Sequence, residues 1–318
     1  MVDKVNAEYQ DLALNDFARM FGTTTDDFSE KCRELISKND FRYRLLGREE
    51  YDRVIFNVLN KIGSDKLPVS GKERKGDWEK GWSENLRRFE ESGNTIASLV
   101  PAYIRPNQAV RLNKDYVYPK DPNFELNFTT VLLAWILDKY FKDADAIHEF
   151  GCGTGFNLAF LAPLCPEKKL FGLDWAAASK TLLNKVAKVN GWNLVGDVFD
   201  FYDPNEDHNI SNNDVVLTFA ALEQVGDKHE QFLQYLLRKS PKLCVNVECL
   251  LELYDENNLL DHLAIRYHKK RGYLNNYLTR LRQLEADGRI EILKTQRSFF
   301  GGMYHEVYSY VVWRPRSI

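Results

Sequence analysis

From about residue 126 the chain alternates between two kinds of apolar run. Strand-length runs occupy 146–150 (AIHEF), 169–175 (KLFGLDW), 192–201 (WNLVGDVFDF), 214–222 (DVVLTFAAL) and 242–250 (KLCVNVECL). Stretches with helical spacing separate most of them: 176–191, 227–240, and a long one over 257–286. Strands alternating with helices close into a parallel sheet through right-handed crossovers. The expected fold is therefore α/β and doubly wound. The end of the chain reads as two strands, 289–300 and 306–315, joined at Gly301-Gly302. A connection that short makes the final strand antiparallel.

The first 125 residues do not share this rhythm. Helical patterns cover 7–21, 25–38 and 48–61, and Asp26-Asp27 lie near the start of the second, where carboxylates suit the helix dipole. A polar, glycine-containing stretch, 63–82, breaks the pattern. A second break, 101–124, carries Pro101, Pro106, Pro119 and Pro122. Prolines at this density disfavour helix and predict an extended segment over the surface. The chain thus divides into a helical N-terminal region with an extended connector, 1–125, and an α/β domain, 126–318. Trp78 and Trp82 lie four apart, on one face of any helix formed there. Core packing or a stacking surface for a flat substrate would each account for that pair.

Composition narrows the partners. Lys plus Arg number 43 and Asp plus Glu 46, a formal charge of −3. That balance gives no electrostatic reason for nucleic acid or an anionic membrane as partner. The five cysteines include no C-x-x-C pair, and the six histidines no H-x-x-x-H pair, so neither a disulfide framework nor a metal site is expected. The N-terminal residues carry no apolar signal core, and "VLLAWIL" is too short to span a bilayer. The expected location is the cytoplasm, with reduced thiols.

Between the first strand and the helix after it lies "EFGCGTGFN", with Gly151, Gly153 and Gly155 at every second position. The dinucleotide fingerprint G-x-G-x-x-G would need a third glycine at 156, where Phe156 stands. No Gly-Lys-Ser/Thr follows, so this is not a phosphate loop either. Such a turn still gathers backbone N–H groups at a helix N-terminus and lets a ligand lie against the backbone. Nineteen residues after Gly155, Asp174 ends the second strand, placed to accept both hydroxyls of a ribose. Asp197 and Asp200 lie near the third strand tip, where an adenine amino group would be met. These residues suit a nucleoside with a small charged tail and no pyrophosphate.

"EFGCGTG", "GLDW", "DVFDF" and "VVLTFAALEQV", in this order and spacing, resemble motifs I to IV of the class I S-adenosylmethionine-dependent methyltransferases. The resemblance covers roughly residues 126–318. In texture it is nearest to bacterial small-molecule or sugar-modifying members. It implies a Rossmann-like seven-stranded sheet with the last strand antiparallel, and S-adenosyl-L-methionine as cofactor. Gly151, Gly153 and Gly155 would face the methionine part, with Glu149 supporting the loop. Asp174 would hold the ribose, and Asp200 with Phe201 the adenine; Asp197 is the alternative to Asp200. The N-terminal region lies outside the resemblance and is the place to expect a lid that selects a small-molecule acceptor.

The amino-methylating Asn/Asp-Pro-Pro-Tyr motif is absent; Thr218-Phe219-Ala220-Ala221 stands there. This favours a hydroxyl acceptor over an amine, and a hydroxyl needs a base. Glu223, Gln224, Glu248 and Glu252 follow parallel strands. His305 approaches from the opposite edge and is the preferred base, with Glu248 as orienting or substrate-binding carboxylate and His262 in reserve. A nucleotide-dependent oxidoreductase and a non-catalytic binding module remain the rival readings.

Overall fold

The computed structural model describes residues 8–316. In chain order the elements begin with β1 (Gln10–Asp11), α1 (Leu14–Met20), α2 (Glu30–Lys38), β2 (Arg42–Leu45), α3 (Arg48–Gly63) and α4 (Lys75–Glu91). Then come β3 (Val110–Leu112), β4 (Asp115–Pro119), α5 (Phe124–Ile136), β5 (Ala146–Phe150), α6 (Phe156–Leu161), β6 (Lys169–Asp174) and α7 (Ala177–Asn190). The rest are β7 (Leu194–Val198), β8 (Val215–Phe219), α8 (Glu230–Lys239), β9 (Leu243–Val247), α9 (Leu259–Arg271), α10 (Tyr277–Ala286), β10 (Ile290–Gln296), β11 (Phe300–Gly301) and β12 (Tyr310–Pro315). The helix expected from residue 7 forms only from Leu14, and Ala7 itself lies outside the described residues.

Seven strands form one sheet in the order β10-β12-β9-β8-β5-β6-β7. β5 pairs in parallel with β6 and β8, while β12 runs antiparallel to both β9 and β10. This is the Rossmann-like seven-stranded sheet with an antiparallel last strand. Strands β5, β8 and β9 are buried along their whole length. Helices on both faces explain why they read as continuous apolar runs. The long helical stretch 257–286 is two helices: Gly272 closes α9 in the left-handed region, and Asn276, also left-handed, opens α10.

The link between the last two strands departs from expectation. Residues 297–309 leave the sheet, and within them β11 pairs with β3 in a second, five-stranded sheet, β1-β2-β4-β3-β11. The N-terminal region is therefore mixed, not simply helical. Its proline-rich segment is not a surface connector either. β3 and β4 form an antiparallel hairpin turned by Asn113 and Lys114, both at positive φ (51° and 67°), as a two-residue primed turn requires. Val110, Leu112, Tyr116 and Val117 are buried, and the prolines only flank or edge this unit. The polar stretch 63–82 also runs into a helix, α4, whose Gly76 and Gly81 meet nothing and whose Phe89 is fully buried.

The two regions share one core. Phe17, Phe21 and Phe41 meet Phe128 and Phe124 of α5 edge-on or stacked, and Phe21 packs on Trp135. Each buried phenylalanine contributes roughly 1.5–3 kcal/mol. Phe17, Phe21 and Phe41 together thus supply about 4.5–9 kcal/mol of gross burial free energy at the junction of the two regions. Among the described residues no helix is long and apolar enough to cross a membrane.

Candidate functional site

A cavity of about 230 Å³ opens at the C-terminal ends of β5, β6 and β8. The glycine turn forms its floor. Gly151 and Gly153 have φ of 73° and 56°, the left-handed region that glycine adopts without strain. A Cβ on Gly151 would lie 2.4 Å from that of Ala221, and one on Gly153 would touch the Trp82 ring at 3.0 Å. Gly155 differs. It caps α6, and its missing Cβ makes room for Leu183 of α7, so it serves helix packing and does not line the cavity. Gly151→Ala should lower stability by at least ~1–2 kcal/mol for the left-handed backbone alone, before the overlap with Ala221 is counted. Thermal denaturation without ligand measures this, and an unchanged midpoint would contradict it.

Asp174 is buried at the tip of β6 and lines the cavity. Its Oδ2 accepts from the Gly153 N–H and its Oδ1 from the Ala176 N–H, both at 3.0 Å. The carboxylate thereby ties the glycine turn to the start of α7, and each oxygen keeps a lone pair. Burial pushes its pKa up to about 6, against the pull of those two donors. Glu149 accepts from the Asn157 side chain at 2.7 Å through Oε1, while Oε2 has no partner, and burial raises its pKa to about 8. Glu125 is similar: the Tyr308 hydroxyl donates to Oε1, Oε2 is unpartnered, and the pKa rises to about 7. Phe201 lines the cavity beside Gly151. Cys152 is buried filler beside Ser179.

Asp200 sits elsewhere. Its Oδ1 caps a turn by accepting from the Tyr202 N–H at 2.9 Å, Lys75 lies 3.6 Å from Oδ2, and it does not line the cavity. Asp197 is no substitute, being half-buried, outside the cavity lining and paired with Lys180 at 2.8 Å. A short polar side chain after a strand makes a local turn readily, which is what Asp200 does here, whereas Asp197 still lies within β7.

The candidate bases are also redistributed. His262 is exposed on α9 and does not line the cavity. Glu248 is fully buried and does not reach His305; its Oε1 accepts from the Ala221 and Leu222 N–H groups at 3.2 and 3.1 Å, holding the turn after β8. His305 does line the cavity, but its Nδ1 is 2.5 Å from Nε2 of His268. Burial, with the Arg111 and Arg271 charges nearby, lowers its pKa to about 3. A group so depressed is neutral but a weak proton acceptor. Glu223 lines the cavity with Oε2 unpartnered, and burial beside Glu248 raises its pKa to about 8.

An aromatic wall lies against the glycine turn. α4 carries Trp78 and Trp82, with ring centroids 5.3 Å apart, to the cavity, and Tyr103 and Arg105 join them. Tyr267 and Tyr273, at the end of α9, and Tyr304 were not singled out from the sequence. Tyr267 and Tyr273 are the two ends of the basic run 267–273 (YHKKRGY), and Tyr304 precedes His305.

No family model and no curated protein matches the chain. Solved structures with partial likeness include the [4+2]-cyclase SpnF, 13% identical over 78% of this chain and 96% of that one, TM-score 0.48. Geranyl diphosphate methyltransferase with SAM is 14% identical over 63% and 92%, TM-score 0.44. The plantazolicin methyltransferase BpumL with SAH is 15% identical over 78% and 99%, TM-score 0.41.

Proposed function

We propose that the cavity binds S-adenosyl-L-methionine and that the chain transfers its methyl group to a hydroxyl of a small acceptor. The observation that carries this reading is the convergence of the glycine turn and the buried Asp174 carboxylate in one cavity. Gly151 and Gly153 present bare backbone to the cavity, Asp174 keeps two lone pairs, and Glu149 Oε2 has no partner, so the residues fit the cofactor. Asp174 would take the ribose, Phe201 the adenine face, and Gly151, Gly153 and Glu149 the methionine end. When bound, the cofactor supplies a methyl group already activated by its positive sulfur. The chain's task is then to position the acceptor and take its proton.

Glu223 is the base this reading assigns, in place of His305. Glu223 lines the cavity, one of its carboxylate oxygens has no partner, and its pKa of about 8 matches the working range of a general base. Ala220 and Ala221 line the cavity with methyl groups and offer no amide or carboxylate to an amine, which supports the hydroxyl reading. The N-terminal lid enters through α4 and Tyr103, whose aromatic rings cover the turn.

Calorimetry with S-adenosylmethionine, its demethylated product and a reduced nicotinamide dinucleotide tests the assignment. The first two should bind and the third should not; the reverse would replace the reading with an oxidoreductase. Transfer of labelled methyl to hydroxyl-bearing acceptors, and none to the matched amines, tests the acceptor atom.

A further inference from the structure

At the far end of the cavity, side chains from three separate stretches converge. Cys249 follows β9, His268 lies in the last turn of α9, and His305 lies in the link between β11 and β12. One donor atom from each lies within 4.8 Å of the other two. Cys249 and His268 are each 1% exposed, while His305 reaches the cavity wall. We propose that Cys249, His268 and His305 bind a single transition-metal ion of the zinc type, with its fourth position open to the cavity.

The donor chemistry supports this. One thiolate with two imidazoles is a set that zinc and its soft or borderline neighbours accept, and three protein ligands leave a place for water or an acceptor heteroatom. The distances require little movement. Zn–N bonds of about 2.0–2.1 Å at a tetrahedral angle set two ligating nitrogens about 3.3 Å apart. The His268–His305 pair, at 2.5 Å, would open by roughly 0.8 Å to admit the ion. Burial lowers both imidazole pKa values, so both rings are neutral, and the ring that donates in the His268–His305 hydrogen bond shifts its N–H to its other nitrogen so that both facing nitrogens can ligate. The thiol is the opposite case: burial holds it protonated. Binding therefore replaces the S–H proton by the metal and releases one proton per ion. The Tyr254 hydroxyl, 3.2 Å from Sγ, can then donate to the thiolate.

The surrounding charges do not forbid a dication. Arg111 and Arg297 are both paired with Asp261 and Glu306, with N–O distances of 2.6–3.1 Å, so that group is neutral as a whole. Arg271 is the remaining cation, and the new thiolate offsets it. The sequence conceals the site because 19 and 37 residues separate the ligands. Among the described residues this is the one Cys/His/carboxylate group with such geometry. The other four cysteines, also free and buried, belong to no such group.

The test uses the full chain stripped with a chelator and titrated with Co²⁺. One equivalent should produce the thiolate-to-cobalt charge-transfer band and the intense visible bands of a four-coordinate centre, release one proton into a weakly buffered dye solution, and be displaced by Zn²⁺. Cys249→Ser should lose the charge-transfer band. His305→Gln, at the half-exposed cavity wall, keeps the test open if Cys249→Ser does not fold; a weak chelator should strip its metal under conditions where the wild type retains it. A wild-type protein that shows no band and no proton release with stoichiometric Co²⁺ overturns the proposal. So does a charge-transfer band that survives in folded Cys249→Ser, or unchanged metal retention in His305→Gln. None of these readouts depends on methyl transfer.

Discussion

Asp174→Ala should weaken S-adenosylmethionine binding about 150- to 25,000-fold while leaving the protein folded. Two ribose hydroxyls donating to an ionised carboxylate contribute about 1.5–3 kcal/mol each, or about 3–6 kcal/mol together. The effect on folding is smaller because opposing terms offset one another. Alanine leaves the buried Gly153 and Ala176 N–H groups without their acceptor, a cost of roughly 1–3 kcal/mol each. It also removes a carboxylate whose pKa has risen from 3.8 to about 6. That rise corresponds to about 3 kcal/mol of destabilisation at neutral pH, which the variant escapes. The pH dependence follows from the same shift. The folded chain holds this proton more tightly than the unfolded chain does. Asp174 therefore lowers stability as pH rises from about 4 to about 6, and the penalty is complete above that. Cofactor affinity moves the other way, falling as pH drops through about 6 and the acceptor is protonated. Calorimetry at pH 5 and pH 8, with thermal denaturation alongside, separates the two. Wild-type affinity in folded Asp174→Ala would remove this residue from the site.

Asp174 was legible because a strand tip imposes its position: spacing from the glycine turn fixes it without any knowledge of side-chain contacts. The same holds for the sheet, whose buried strands announce themselves as apolar runs. The N-terminal region was misread where prolines masked a pattern. Val110, Leu112, Tyr116 and Val117 are a hairpin's buried residues, but Pro106 and Pro119 bracket them, and the turn is Asn113-Lys114, which lacks the glycine that usually marks it. α4 was obscured by Gly76 and Gly81, which cost it helix propensity yet face open space. The wall of the cavity was harder still. Glu248 follows β9 as expected, but its Oε1 faces the Ala221 and Leu222 N–H groups of the turn after β8. Spacing carries no such information. The pairing of His305 with His268 across 37 residues is a property of the packed chain alone.

Burial and the nearby Arg111 and Arg271 charges make His305 a weak base, which decides which group can take the acceptor's proton and so where the largest catalytic loss should fall. Glu223→Gln should lower kcat by about 10²–10⁴-fold, the usual contribution of a positioned base. Glutamine keeps the shape and one oxygen, so cofactor affinity should change little. The pH profile distinguishes a base from a merely polar wall. Glu223 must be ionised to accept a proton, and burial with the Glu248 charge nearby holds its pKa at about 8. The wild-type kcat/KM should therefore rise with pH through about 8. In kcat the rise should come at lower pH, because the positive sulfur of the bound cofactor favours the ionised carboxylate. Glu223→Gln should flatten both limbs. His305→Ala should retain them, since an imidazole with a pKa near 3 does not titrate in this range. If the limb survives in Glu223→Gln and disappears in His305→Ala, the proton passes to the histidine instead.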